Sequence, residues 1–347
     1  MLLVSVRQLR SAFRGLLISL AVLTSSPEVS TQSPTLPPGG TDLRAAASEL
    51  PQLRSLLVSR RGQLVAEYYA RGVRPDTPAN VKSASKSIIA ALVGIAIDRG
   101  AIKSVKEPIA TWFPELRHDA DRRKHSITVE DLLTMRAGLA STSGRNYGAW
   151  VRSGNWVRYA LRQPMVSEPG GAMEYSTGSS HLLSAILTKA TGTSTWQFAQ
   201  DALATPSGFR LAKWPRDPQG IYFGGNEMLL APKQMVAIGE LYLDRGKAGG
   251  RQIVPASWID TSCEPRTTSA WDSERQYGYG WWIQDFTHGR SCFAWGYGGQ
   301  YILVFRSLDL VVAATSTTTV SEERRGHRRR LLQLIDEQVL KPFAERR

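Results

Sequence analysis

The chain has 347 residues, 43 Lys and Arg against 30 Asp and Glu for a net charge of +13, five His and two Cys. With 42% apolar and 21% charged residues it belongs with globular proteins, long enough for one large domain or two smaller ones. Two cysteines exclude a disulfide-dense scaffold and a four-thiolate zinc site, and no apolar run reaches the ~20 residues that span a bilayer, which excludes a polytopic membrane protein.

The first two dozen residues carry Arg7, Arg10 and Arg14 and no acid, then a short apolar stretch from Leu16 to Leu23, then Thr24-Ser25-Ser26. A basic start, a short greasy middle and a small-residue exit predict a signal peptide over residues 1–26, hence a periplasmic or secreted protein. No Cys follows the apolar stretch, so a lipid anchor is not indicated. Residues 27–50, rich in Pro, Ser, Thr and Gly as far as Thr41, read as a tether and a first helix ahead of one domain over 51–345.

Leu56-Leu57-Val58 and Leu64-Val65 flank Arg61-Gly62, which predicts a hairpin across Ser55–Tyr69. Ser83–Asp98 is apolar on nearly every side from Ile88 to Ile97, the pattern of a helix buried in the centre of a protein. Thr128-Val129-Glu130-Asp131 opens another helix with a capping-box pattern. Roughly residues 105–260 read as a lobe of short helices broken by Pro and Gly. The last hundred residues change period: Tyr277–Gln284, Cys292–Tyr297, Tyr301–Arg306 and Leu310–Ser316 are β-rich runs in close succession, an antiparallel meander. A final helix, Leu331–Val339, presents Leu331, Leu334, Ile335 and Val339 at helical spacing. Strands at both ends with helices between them predict an α+β fold in which the hairpin near residue 60 joins the meander in one sheet.

Common catalytic signatures are absent: no G-x-S-x-G elbow, no H-E-x-x-H, no Walker A loop and no Rossmann glycine fingerprint. His118, His125, His181, His288 and His327 show no metal-ligand spacing. Ser83-Ala84-Ser85-Lys86 is the only S-x-x-K, and its setting says more than the tetrapeptide. Residues three apart share one face of a helix, here the first turn of the all-apolar segment. Desolvation there lowers an ammonium pKa, and a neutral amine beside a hydroxyl makes an activated nucleophile. Free N–H groups at the helix start would face a developing oxyanion. A serine N-cap followed by an exposed first-turn lysine fits the same spacing.

Tyr175-Ser176-Thr177 follows the turn Pro169-Gly170-Gly171 and precedes a helix. A phenol there either reaches a neighbouring site as general base and acid or packs under that helix. Trp295-Gly296-Tyr297-Gly298-Gly299-Gln300 lies between two strands of the meander, where glycines either let the backbone approach a ligand or simply turn the chain.

These elements in this order, with Asp131-Leu132-Leu133-Thr134-Met135, Glu168-Pro169-Gly170, Val254-Pro255-Ala256-Ser257-Trp258 and Tyr277-Gly278-Tyr279-Gly280-Trp281-Trp282, resemble the penicillin-recognising serine hydrolases. That superfamily holds class C β-lactamases, D-alanyl-D-alanine peptidases, aminohexanoate-oligomer hydrolases and β-lactamase-like esterases. The resemblance runs from about Leu53 to Phe343 and implies a β-lactamase/transpeptidase-like fold, an antiparallel sheet flanked by helices with an inserted all-helical lobe and the site between them. By position it implies Ser83 as the acylated nucleophile, Lys86 as its proton acceptor, and Tyr175 as assisting base and then acid to the leaving group. The backbone N–H groups of Ser83 and Gln300 would form the oxyanion hole, and Thr177, Tyr297, Gly298 and Gly299 would meet substrate. No metal and no organic cofactor is implied.

Two positions depart from the family pattern. Thr177 stands where β-lactamases and peptidases usually carry Asn, and Tyr297 where they carry Lys. A phenol gives a substrate carboxylate only a neutral hydrogen bond, so recognition of penicillins or a terminal D-alanine loses its charge assistance. Small esters or uncharged amides become the expected substrates, with Trp281, Trp282 and Trp295 as apolar walls or as core. Cys292 lies five positions before Tyr297, hence on the other side of a regular strand, and either pairs with Cys263 in an exported protein or stays a thiol.

The basic balance admits an anionic cell-envelope polymer as partner. The cluster Arg324, Arg325, Arg328, Arg329 and Arg330 stands beside Glu322 and Glu323 and reads as a solvated helix entrance. No nucleic-acid-binding motif is present. A non-catalytic binding protein on the same scaffold is the rival reading, prompted by Thr177 and Tyr297 and opposed by Ser83, Lys86 and Tyr175.

Overall fold

Strands from the early and the late parts of the chain pair in one sheet. In the computed structural model, which describes residues 43–319 and 326–346, the hairpin β1 (Leu53–Arg60) and β2 (Gln63–Tyr69) turns at Arg61-Gly62, both left-handed with φ of 50° and 77°. Such turns follow the right-handed twist of their strands. The expected signal peptide, the tether and Glu322 to Arg325 lie outside the described residues.

Six strands close the chain: β3 (Thr267–Ser269), β4 (Asp272–Tyr277), β5 (Trp282–Phe286), β6 (Gly289–Gly296), β7 (Gln300–Phe305) and β8 (Leu310–Ser316). All eight pair antiparallel in the order β2-β1-β8-β7-β6-β5-β4-β3. Leu57 faces Ala313 across β1 and β8, so the hairpin and the meander form one sheet as expected.

The run Tyr277–Gln284, read as one strand, is broken. The chain reverses through Gly278–Trp281, with the Gly278 N–H donating to the Trp281 carbonyl at 2.8 Å. Gly280 has φ of 73°, and a β-carbon on it would lie 2.7 Å from Ala90 Cβ and 3.0 Å from the Lys86 carbonyl. Aromatic residues on either side hide a turn that only this close approach to a helix requires.

The helices that position the site are α1 (Leu43–Ser48), α2 (Ser85–Asp98), α3 (Val129–Leu133), α4 (Thr177–Thr191), α5 (Pro232–Leu243), α6 (Ala256–Ser262) and α7 (His327–Leu334), the last continuing as helical turns to Ala344. Every residue of α2 from Ser85 to Ala96 is buried, because α4 covers one side and β6 another. The capping box of α3 is formed: the Thr128 hydroxyl accepts from the Asp131 N–H at 3.2 Å and the Asp131 carboxylate from the Thr128 N–H at 2.8 Å.

The helical lobe ends before residue 260. Helix α5 packs on β8, β7 and β1, with Met235, Val236 and Ile238 in the same core as Leu57, Ile302 and Ala313. On the opposite face Leu56, Leu303 and Val312 meet Leu331, Ile335 and Val339. Neighbouring residues of a strand point to opposite faces, so a sheet covered on both sides needs apolar residues at every position. Among the described residues no helix is long and apolar enough to cross a membrane, and no cluster of three or more His, Cys, Asp or Glu could hold a metal ion.

Cys263, at the end of α6, and Cys292, on β6, form a disulfide 29 residues apart in sequence. A crosslink closing a loop of that length removes unfolded-state freedom worth about 3.5 kcal/mol. Cys292→Ser should lose stability of that order, seen as a lower midpoint in denaturant unfolding; an unchanged midpoint would mean that the bridge constrains nothing.

Candidate active site

Ser83 sits in a single tight turn, Lys82–Ala84, that leads into α2, one step earlier than the first turn of the helix itself. The spacing still brings the pair together: Lys86 Nζ lies 3.1 Å from Ser83 Oγ. Lys82 holds a left-handed φ of 51°, which side chains rarely adopt. It is pinned there: its N–H donates to Asn80 Oδ1 at 3.0 Å, and its ammonium meets Glu227 at 2.9 Å. Glu227 is itself left-handed at 63°. Two costly conformations brace each other, which fixes the elbow carrying Ser83.

Lys86 is 2% exposed, and no carboxylate among the described residues pairs with it. Its partners are Ser83, the Thr177 hydroxyl at 3.3 Å and the Gly225 carbonyl at 2.7 Å. The Tyr175 ring lies 5.1 Å away. Burial pushes the ammonium down to about 7. A neutral amine carries two N–H bonds and one lone pair. Gly225 and Thr177 accept the two hydrogens, so the lone pair faces Ser83, whose hydroxyl then donates to it. The arrangement can take the serine proton.

Tyr175, just ahead of α4, stacks on Trp282 with ring centroids 5.8 Å apart and meets Trp271 edge-on at 5.7 Å. Burial pushes its phenol up to about 12, against a hydrogen bond with Ser83 that pulls it down. It therefore keeps its proton at neutral pH and is placed to donate rather than to begin as a phenolate base. Thr177 is 5% exposed, and its hydroxyl is shared with Lys86 and with Ser143 Oγ at 2.9 Å. Its N–H donates to Ser143 Oγ at 2.8 Å. Thr177 is thus committed to the lysine rather than turned outward.

Tyr297, 53% exposed, with Gly298 and Gly299, turns the chain from β6 to β7. Gly296 lies against the Val81 carbonyl with no room for a β-carbon, which brings this turn beside the Ser83 elbow. The buried Gln300 side chain clamps β7 to β8, donating to the Ser316 carbonyl at 2.6 Å. Trp281 stands apart from these residues. The Gly278–Trp281 turn sends it to the α5 side, where it is fully buried 4.0 Å from the Tyr242 ring, so it is core and not a wall of the site. Trp282 is buried behind Tyr175, and Trp295 meets Trp282 at 5.7 Å.

Four groups were not legible in the sequence: Ser143, the Gly225 carbonyl, Trp271 and the His181–Asp217 pair behind Gly224. Ser143 and Trp271 sit in polar loops without a motif. The Gly224-Gly225 dipeptide was the only hint of a close backbone approach.

Residues 52–337 match the β-lactamase family model, and the chain belongs to that family, as a hydrolase of the kind its relatives are. The 6-aminohexanoate-dimer hydrolase of Paenarthrobacter ureafaciens is 26% identical over 271 residues, covering 69% of each chain. Among solved structures, EstCE1, described as a hydrolase with promiscuous acyltransferase activity, superposes with a TM-score of 0.71 at 17% identity over 85% of this chain and 97% of its own. A class C β-lactamase from Rhodobacter sphaeroides gives 0.65 at 17% identity over 84% and 99%. The structural likeness establishes the shared β-lactamase/transpeptidase-like fold.

Because Lys86 sits near 7 rather than 10.5, the fraction of neutral amine rises as pH climbs through that value. Labelling of Ser83 by a fluorophosphonate should rise about tenfold from pH 6 to pH 8 with its midpoint near 7. A rate still climbing at pH 10 would show a lysine that remains charged.

Proposed function

We propose that the chain is a serine hydrolase that forms an acyl-enzyme at Ser83 on an ester or amide of a small, uncharged, partly apolar molecule. The observation that carries this reading is the buried Lys86 amine, 3.1 Å from Ser83 Oγ with acceptors for both of its hydrogens. Lys86 takes the hydroxyl proton as Ser83 Oγ bonds to the substrate carbonyl carbon. The oxygen that gains the charge is received by the N–H groups of Ser83 and Gln300. The bond to the alcohol or amine then breaks, Tyr175 gives that group its proton, and the Lys86 ammonium restores the phenol. Water, deprotonated by the same groups, releases the acid.

The substrate class rests on the mouth of the site. Val166, Trp271 and Tyr297 are the exposed large apolar side chains among the described residues. Trp271 leans on Tyr175 and Tyr297 belongs to the turn beside Ser83. Thr177, engaged with Lys86 and Ser143, has little left to hold a substrate amide. The relatives support hydrolysis of small molecules, one of them named for an amide dimer and one a hydrolase with acyltransferase activity. With no cation at position 297, penicillins and D-alanyl-D-alanine peptides are poor substrates on this reading. Export belongs to the same proposal, since disulfides such as Cys263–Cys292 persist in oxidising compartments. The basic surface would then face an anionic cell envelope.

Ser83→Ala should abolish both fluorophosphonate labelling and turnover in a panel of small esters and amides, with the acyl group found on the Ser83 peptide by mass. Labelling that survives this substitution removes the proposal, and salt-sensitive polymer binding without labelling of the wild type leaves a binding protein in its place. Tyr297→Lys should raise acylation by a penicillin about tenfold, the difference between a neutral and a charge-assisted hydrogen bond. No gain would mean that this position does not meet the carboxylate.

A further inference from the structure

The Gly225 carbonyl that receives a Lys86 hydrogen is carried by a loop, and a loop by itself does not fix a carbonyl. Behind it lies a fully buried carboxylate–imidazole pair in the helical lobe. His181, on α4, and Asp217 are both 0% exposed in their side chains, with Nε2 3.0 Å from Asp217 Oδ2. The other imidazole nitrogen, Nδ1, faces the Gly224 N–H at 3.3 Å. An amide N–H can only donate, so Nδ1 carries no proton and the ring proton is on Nε2, pointing at the carboxylate. Asp217 cannot turn away, because its second oxygen accepts the N–H groups of Gln219 and Ile221, both at 2.8 Å. The rings of Trp150, Trp156 and Phe223 enclose the imidazole, with centroids 5.8, 5.4 and 5.9 Å away. The next residue after the held amide is Gly225, so near the lysine that a β-carbon on it would stand 3.1 Å from Nζ.

We propose that the buried Asp217–His181 pair is a positioning device for the base: by fixing one imidazole tautomer it holds the Gly224 amide, sets the Gly225 carbonyl on Lys86, and so aims the amine lone pair at Ser83. This rests on Lys86 acting as the base. Neither residue touches the reacting atoms, and the device works through the carboxylate, the imidazole, the Gly224-Gly225 backbone and the amine. A pair serving only to fill the lobe would need no particular tautomer.

Asp217→Asn in the full chain tests this with no change of shape. The amide must keep its oxygen on the Gln219 and Ile221 N–H groups, so it turns its NH2 toward Nε2. The imidazole then accepts there and moves its own proton to Nδ1, against the Gly224 N–H. Counted per site titrated by fluorophosphonate, kcat for a small ester should fall tenfold or more, the usual cost of losing an outer-shell orienting partner. KM should stay within about twofold, and the acid limb of the pH profile should move below its wild-type midpoint, because an ammonium that loses a carbonyl acceptor is less stable. Adding His181→Asn, whose side-chain oxygen can accept from Gly224 whatever stands at 217, should restore most of the rate, whereas His181→Leu should not.

Wild-type kcat per titrated site with an unmoved pH limb in Asp217→Asn overturns the proposal, even if the variant melts earlier. Should Asp217→Asn fail to fold, equal kcat in His181→Asn and His181→Leu overturns it equally. A wild type that fluorophosphonate does not label removes the underlying reading of Ser83 and this proposal with it; a labelled wild type with an indifferent Asp217→Asn removes this proposal alone.

Discussion

A lysine amine withdrawn from water without a counter-charge is the constraint around which this molecule is arranged. Moving the ammonium from 10.5 to about 7 sets roughly 5 kcal/mol against its charged form. The neutral form still has two hydrogens and a lone pair to satisfy in a dry place. Three separate stretches of chain meet that need: the elbow before α2 with Ser83, the start of α4 with Thr177, and the loop with Gly225. Helix α2 could not carry a lysine at this depth unless the sheet and the lobe both closed over it, and twelve consecutive buried residues show that they do.

What holds these three stretches explains features that look unrelated. The paired left-handed residues Lys82 and Glu227 fix the elbow. Ser143 takes the Thr177 N–H and shares its hydroxyl, fixing the start of α4. Gly280 lets the sheet approach the backbone of Lys86 itself. Each device costs local conformational freedom or strain, and each adjoins or contacts a residue that carries the amine or touches it. Strain concentrated in this way marks a site whose geometry the fold over-determines.

Much of this was legible in the sequence where the signal is periodic. The hairpin around Arg61-Gly62, the buried run Ile88 to Ile97 and the strands Tyr301–Arg306 and Leu310–Ser316 each follow from apolar spacing, and the structure places them within a residue or two. The approach of Lys86 to Ser83 was legible because the three-residue spacing carries through the tight turn that leads into α2. The failures share another cause. Tyr277–Gln284 looked like one strand because the demand for a turn comes from Ala90 and Lys86, 190 and 194 residues before Gly280 in the chain. Trp281 stayed open between wall and core because the same turn decides which face it takes. The lobe boundary was set too late because α5 differs from lobe helices only in what it covers, and coverage is not a local property. Gly225 contributes a carbonyl, and a carbonyl leaves no trace in residue type.

The separation of chemistry from recognition follows from where the pieces hang. The amine, its acceptors and Tyr175 are all buried or half-buried among packed elements. Trp271 and Tyr297 sit on turns, β3 to β4 and β6 to β7, and are more than half exposed. Turns of a sheet tolerate a change of side chain that a packed helix does not. On the proposed function, a neutral phenol therefore stands at position 297 without disturbing the buried lysine and its acceptors. The Trp271 edge on the Tyr175 ring joins the two layers. On the same proposal, a substrate seated against Trp271 would bear on Tyr175, so its fit and the delivery of a proton to its leaving group would be linked through this aromatic pair.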